Sequence, residues 1–130
     1  MSNQQHHILV VDDLADNIFL LQAFLESEGY TVDVADTASL ALEKMQALPP
    51  DLVLLDVMMP NMDGYELTRA IRKDSKLRSI PIVLITAHTT ACRVKGLAAG
   101  ATDFVRKPIN FEQLLLTIEQ LIAFQAKLKR

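Results

Sequence analysis

The chain has 130 residues, half of them hydrophobic, with 13 Lys and Arg against 16 Asp and Glu and a formal net charge of −3. That composition supports one domain over residues 1–130 with a core from about 8 to 121. It lacks the basic footprint of a nucleic-acid binder, since no cationic cluster runs longer than Lys127-Leu128-Lys129-Arg130.

No apolar stretch reaches the roughly 18–20 residues that cross a bilayer. The start, MSNQQHHILVV, has no signal-peptide pattern, and the lone Cys92 cannot form an intrachain disulfide. The expectation is a cytoplasmic protein that binds neither nucleic acid nor membrane directly.

The first β-like run, Ile8–Val11, ends on Asp12-Asp13. Helical periodicity follows, with Ile18, Leu21 and Leu25 on one face. Gly29 stands just past that helix, where glycine takes a left-handed conformation cheaply. Thr31–Ala35 alternates as TVDVA and predicts an edge strand. A second helix after Thr37 carries Leu40, Leu42 and Met45, and Pro49-Pro50 closes the connection.

Leu52–Leu55 is a continuous apolar run, as expected of a strand covered on both faces. Asp63-x-x-Glu66 reads as a capping box opening a third helix with Leu67, Ala70 and Ile71. Pro81 precedes the fourth run, Ile82–Thr86, and Val94, Leu97 and Ala98 mark a fourth helix closed by Gly100. The fifth run, Asp103–Arg106, leads into Lys107-Pro108. Asn110-x-x-Gln113 then opens a fifth helix through Leu114, Ile118, Leu121 and Ile122. It extends to Lys129, ~30 Å at 1.5 Å per residue.

Strict alternation of strand and helix implies parallel strands joined by right-handed crossovers, with helices on both faces. The fold class is α/β, a single doubly wound five-stranded parallel sheet of order 2-1-3-4-5 flanked by five helices. Ligands of such sheets bind beyond the carboxyl ends of the strands, near the switch in strand order. The residues that close the strands there are Asp12-Asp13, Asp56, Thr86 and Lys107-Pro108.

Asp56 is the least ordinary of these, because it interrupts the oily run LVLLDVMMP, and an ionised carboxylate is not buried without a partner. Two carboxylates about 4 Å apart repel by roughly 4 kcal/mol at an effective dielectric near 20. A whole domain is stable by only ~5–15 kcal/mol, so three converging acids require countercharge. Lys107 supplies one. A hard divalent cation is the natural second, and Mg²⁺ favours one or two carboxylates, waters and a phosphate.

Five motifs in chain order carry a resemblance. They are Val10-Val11-Asp12-Asp13, Leu55-Asp56-x-x-Met59-Pro60-x-Met62-Asp63-Gly64, Thr86-Ala87, Ala99-Gly100-Ala101 and Phe104-Val105-x-Lys107-Pro108. Together they resemble a two-component response-regulator receiver domain from about Ile8 to Leu121.

The resemblance implies a phosphorylation-dependent switch and not an enzyme, beyond catalysing its own phosphoryl uptake and hydrolysis. Asp56 then accepts the phosphoryl group from a sensor histidine kinase or histidine phosphotransfer protein. Asp12, Asp13, Asp56 and the backbone carbonyl of Met58 hold Mg²⁺, and Lys107 contacts the phosphoryl oxygens. Thr86 bonds the phosphoryl group and moves inward, and Phe104 follows from an exposed to a buried rotamer. A cis Lys107–Pro108 peptide is expected. The surface of the fourth helix, fifth strand and fifth helix is the expected signalling face and a candidate homodimer contact.

Met58, Met59 and Met62 read as loop packing. Met58 and His88 also flank the path of a hydrolytic water, so a phosphorylated lifetime of minutes or longer is expected. A flavin module would place a phosphate-cradling Ser/Thr/Gly-rich loop where Asp12-Asp13 stand. A dehalogenase-type phosphatase would show Asp-x-Asp after the first strand, which this chain lacks. The alternative that remains is a receiver-like scaffold that binds partners without phosphorylation.

Overall fold

A computed structural model of the chain describes residues 6–59, 62–87 and 90–128, and His88 and Pro60 lie outside the described residues. Five strands form one parallel sheet in the order β2-β1-β3-β4-β5. They are β1 (His7–Val11), β2 (Thr31–Ala35), β3 (Leu52–Asp56), β4 (Ile82–Thr86) and β5 (Asp103–Arg106). The intervening helices are α1 (Ala15–Ser27), α2 (Ala38–Ala47), α3 (Gly64–Lys73), α4 (Thr90–Ala99) and α5 (Phe111–Leu128). The expected sheet and strand order are those observed.

Alternation along each strand sends side chains to opposite faces, and two separate cores result. One face packs Leu9, Val11, Val53, Leu55 and Leu84 against Ala41 and Met45 of α2 and Leu67 and Ile71 of α3. The other packs Ile8, Val10, Leu52, Leu54, Val83 and Ile85 against Leu21 and Leu25 of α1 and Leu114, Ile118 and Ile122 of α5. All five residues of β3 and of β4 are buried, which is why LVLL and IVLI read as unbroken apolar runs. TVDVA is half-buried because β2 is an edge.

Caps and turns account for most of the boundaries. Gly29 and Gly100 adopt φ of 95° and 108° beyond the ends of α1 and α4. Asp63 and Glu66 form the reciprocal capping box of α3, with bonds of 2.9 and 3.1 Å. Asn110 Oδ1 accepts the Gln113 N–H at 3.1 Å before α5. The start of α1 differs from the usual acidic cap. Leu14 occupies the N-cap position with no side-chain cap bond. Asp12 turns back to accept the Leu14 N–H on Oδ1 at 2.9 Å.

The carboxyl ends of the strands are tied by single backbone bonds just past the ladders. Asp12 N–H donates to Ala35 O at 3.1 Å, Val57 N–H to Ile85 O at 3.1 Å and Lys107 N–H to Thr86 O at 2.8 Å. These bonds bring the functional side chains to one rim.

Candidate functional site: a carboxylate notch at the strand ends

Asp12 follows β1 and Asp56 closes β3, and these two strands are hydrogen-bonded neighbours. Asp12, Asp13 and Asp56 each present an oxygen within 4.8 Å of the others. Asp12 and Asp56 are each only 2% exposed, and Asp13 is the more open of the three. Lys107, on the loop after β5, places Nζ 3.3 Å from Asp56 Oδ1. The same oxygen accepts the Met58 N–H at 3.3 Å. The Lys107–Pro108 peptide is cis.

Burial holds the Asp12 carboxyl above the usual carboxylate range, and the Asp56 charge adds to that rise. The Leu14 N–H, the Asn17 amide and the Lys107 ammonium pull the other way without cancelling it. The notch therefore carries three acids and one ammonium, and its electrostatics favour a cation. Hard oxygen donors fit Mg²⁺, which accepts a few carboxylates and retains water.

The loop after β3 is held down by Gly64, whose N–H donates to Val57 O at 3.0 Å. A β-carbon there would stand 2.7 Å from Asp56 O and 2.8 Å from Val57 Cα, so only glycine lets the loop close on the strand end. Met59 is buried and Met62 half-buried, in keeping with loop packing. Met58 corrects that expectation: its side chain is 73% exposed, because the loop turns it away from the core directly after Asp56.

Thr86 is buried at the end of β4. Phe104 is half-buried and packs against the core on the face of α2 and α3. A groove of about 850 Å³ runs from Thr86 past Phe104 to Arg93, Arg106 and Gln113, between α4 and α5. The Arg93 guanidinium lies 4.9 Å from the Phe104 ring centroid.

Three residues of this region escaped the sequence reading. Asn17 donates from Nδ2 to Asp12 Oδ2 at 3.1 Å. Gly96 gives Phe104 its space in α4, and Arg93 covers the ring. The signal for Gly96 was legible, since a glycine inside a helical pattern often marks close packing. Asn17 and Arg93 reveal themselves only through contacts between elements.

Comparisons with known proteins agree with the geometry. A family model described as "Response regulator receiver domain" matches residues 8–119. The response regulator PleD of Caulobacter vibrioides is 44% identical over 119 residues, covering 91% of this chain but 26% of that protein. The chain thus spans about a quarter of that relative's length.

Among solved structures, the chemotaxis protein CheY4 of Vibrio cholerae superposes with a TM-score of 0.85 at 34% identity, covering 89% of this chain and 98% of that one. A putative response regulator from Chloroflexus aurantiacus gives 0.88 at 29% identity, covering 91% and 98%. Among the described residues no helix is long and apolar enough to cross a membrane. By fold, strand-end chemistry and relationship, the chain belongs to the response regulator receiver domain family of two-component systems.

Proposed function

We propose that this domain is a phosphorylation-driven switch in which Asp56 is the phosphoacceptor. The observation that carries the reading is the Lys107 ammonium 3.3 Å from Asp56 Oδ1, inside a cluster of three carboxylates. Receiver domains exchange phosphoryl groups with histidine kinases or phosphotransfer proteins, and such a protein is the proposed donor.

An Asp56 carboxylate oxygen attacks phosphorus and the bond to the donor imidazole nitrogen breaks, leaving an acyl phosphate. The chain's task is positioning and charge stabilisation. Lys107 faces the incoming phosphoryl oxygens, and the Thr86 hydroxyl bonds to them once transfer is complete. Asp12, Asp13, Asp56 and the Met58 carbonyl would hold Mg²⁺, which when bound would supply positive charge against the phosphoryl oxygens. Met58 stands beside the acceptor and narrows the approach of hydrolytic water.

The relay runs from Thr86 to Phe104 and on to the surface of α4, β5 and α5. The groove that joins Thr86 to that surface supports this route. Val94 and Leu97 of α4 and Leu116 of α5 are each more than half exposed, which suits a protein contact there, a second copy of the chain included. The phosphoryl group carries about two negative charges at neutral pH, one of which replaces the carboxylate charge that Asp56 gives up. Those charges bias a two-state Thr86/Phe104 pair, with coupling in the usual span of about 1–3 kcal/mol.

Incubation with acetyl phosphate and Mg²⁺ followed by intact mass tests the reading. One phosphoryl adduct, absent in Asp56→Asn and slowed in Lys107→Ala, is expected. No adduct from any donor would leave the non-phosphorylated scaffold as the better account.

A further inference from the structure

Asp12 is gripped on both oxygens. The Leu14 N–H reaches Oδ1 at 2.9 Å, and Asn17 Nδ2 reaches Oδ2 at 3.1 Å. The first bond comes from the backbone and would survive any residue but proline at position 14. The second depends on one side chain, delivered from the first turn of α1.

That turn explains why the bond exists. Leu14 is the N-cap of α1, so Asn17 stands at N3, the position from which a capping-box side chain returns to the N-cap N–H. Here the N-cap N–H is already taken by Asp12. The Asn17 carboxamide therefore passes over it and donates to the same carboxylate. An ionised carboxylate only accepts, so the amide must present its NH₂. Each carboxylate oxygen has a second lone pair, and the two bonds hold the group without filling it.

Asn17 is half-buried in the wall of a cavity of about 320 Å³ that Lys107 and Phe111 also line. Asp12 is thus fixed from the α1 side, while Asp13 and Asp56 converge on it within 4.8 Å.

We propose that Asn17 is a positioning residue for the cation notch, setting the orientation of Asp12 and through it the affinity for a divalent cation. The inference rests on the reading of the notch as a cation site. Partners that orient metal ligands typically cost 10–100-fold in affinity when removed.

The experiment is Mn²⁺ binding to the full chain, followed by the loss of the free-ion EPR signal. Asn17→Leu keeps the shape and removes the donor, and Asn17→Ala is the deciding variant should leucine disturb the fold. Gln22→Leu makes the same chemical change elsewhere on α1, where the amide donates to Glu26.

About tenfold weaker Mn²⁺ binding is expected in both Asn17 variants, with Gln22→Leu unchanged. The Mg²⁺ concentration for half-maximal phosphoryl uptake from acetyl phosphate should rise by the same factor, while the rate at saturating Mg²⁺ stays near wild type. A purely structural role would lower the metal-free unfolding midpoint and leave that split unseen. Folded Asn17 variants that bind Mn²⁺ as the wild type does would overturn the inference and leave the notch intact. A wild-type chain that binds no Mn²⁺ would remove the notch and this inference together.

Discussion

Gly96 and Phe104 occupy each other's space: a β-carbon at position 96 would collide with Cε2 and Cζ of the Phe104 ring and lie 2.9 Å from Leu84 Cδ1. The ring fills a hole in α4 that exists only because residue 96 has no side chain. Arg93, one turn earlier, covers the ring at 4.9 Å.

Gly96→Ala brings two opposed terms. Alanine favours a helix interior by roughly 1 kcal/mol over glycine, whereas overpacking costs about 1–3 kcal/mol. A net loss of about 1 kcal/mol is expected in the wild-type background. In a Phe104→Ala background the ring clash is gone and the Leu84 methyl can turn into the vacated space, so the same substitution should stabilise by about 1 kcal/mol. Urea unfolding of the four proteins reads this reversal of sign, and equal effects in both backgrounds would refute the packing account. Ring-labelled Phe104 should also lose its contacts to Leu84 in the Gly96→Ala protein.

Gly64 faces a harder constraint, because its neighbours Asp56 O and Val57 Cα belong to the backbone and cannot rotate aside. Gly64→Ala should cost about 2 kcal/mol, the middle of the overpacking range. It should also lift the segment that carries Met58 and so weaken divalent-cation binding. Denaturation and cation titration on one sample separate the two effects. A stability loss with unchanged cation affinity would show that the loop yields without moving the site.

The dependence of Mg²⁺ stabilisation on pH follows from Asp12. Burial raises its carboxyl pKa, with the Asp56 charge adding to the effect. Between the ordinary carboxylate value, about 3.9, and the raised one, the folded chain binds more protons than the unfolded chain. Stability without metal from this group therefore falls as pH rises through that window.

Mg²⁺ requires the ionised carboxylate and competes with the proton. The metal-induced rise in unfolding midpoint should be greatest at neutral pH and shrink on acidification through the window. At 100 times Kd it corresponds to about 2.7 kcal/mol. Asp33 is shifted downward: burial raises it, but hydrogen bonds from Lys44 and Val34 outweigh that. It lies on β2, outside the carboxylate cluster, so the difference with and without Mg²⁺ isolates the notch. Asp12→Asn should flatten that difference. A Mg²⁺ shift independent of pH would argue against Asp12 as a ligand.

Much of this domain was legible before any coordinates. ILVV, LVLL and IVLI have no polar face to offer solvent, and only strands covered on both sides satisfy them. Parallel chemistry then sends every strand's carboxyl end to one edge, so Asp12, Asp56, Thr86 and Lys107 were bound to meet there. Asp56 stood out because an acid amid leucines needs a partner, and Lys107 is that partner at 3.3 Å.

Tertiary structure decided what depends on the meeting of distant elements. Met58 sits in an oily run yet faces water, because burial is settled by where a loop turns. The bond from Asn17 to Asp12, the cover of Arg93 on Phe104 and the hole at Gly96 have no one-dimensional pattern. Periodicity assigns each residue a face of its own helix or strand. Which side chain lies opposite it is set only when α1 reaches the end of β1 and α4 settles on β5.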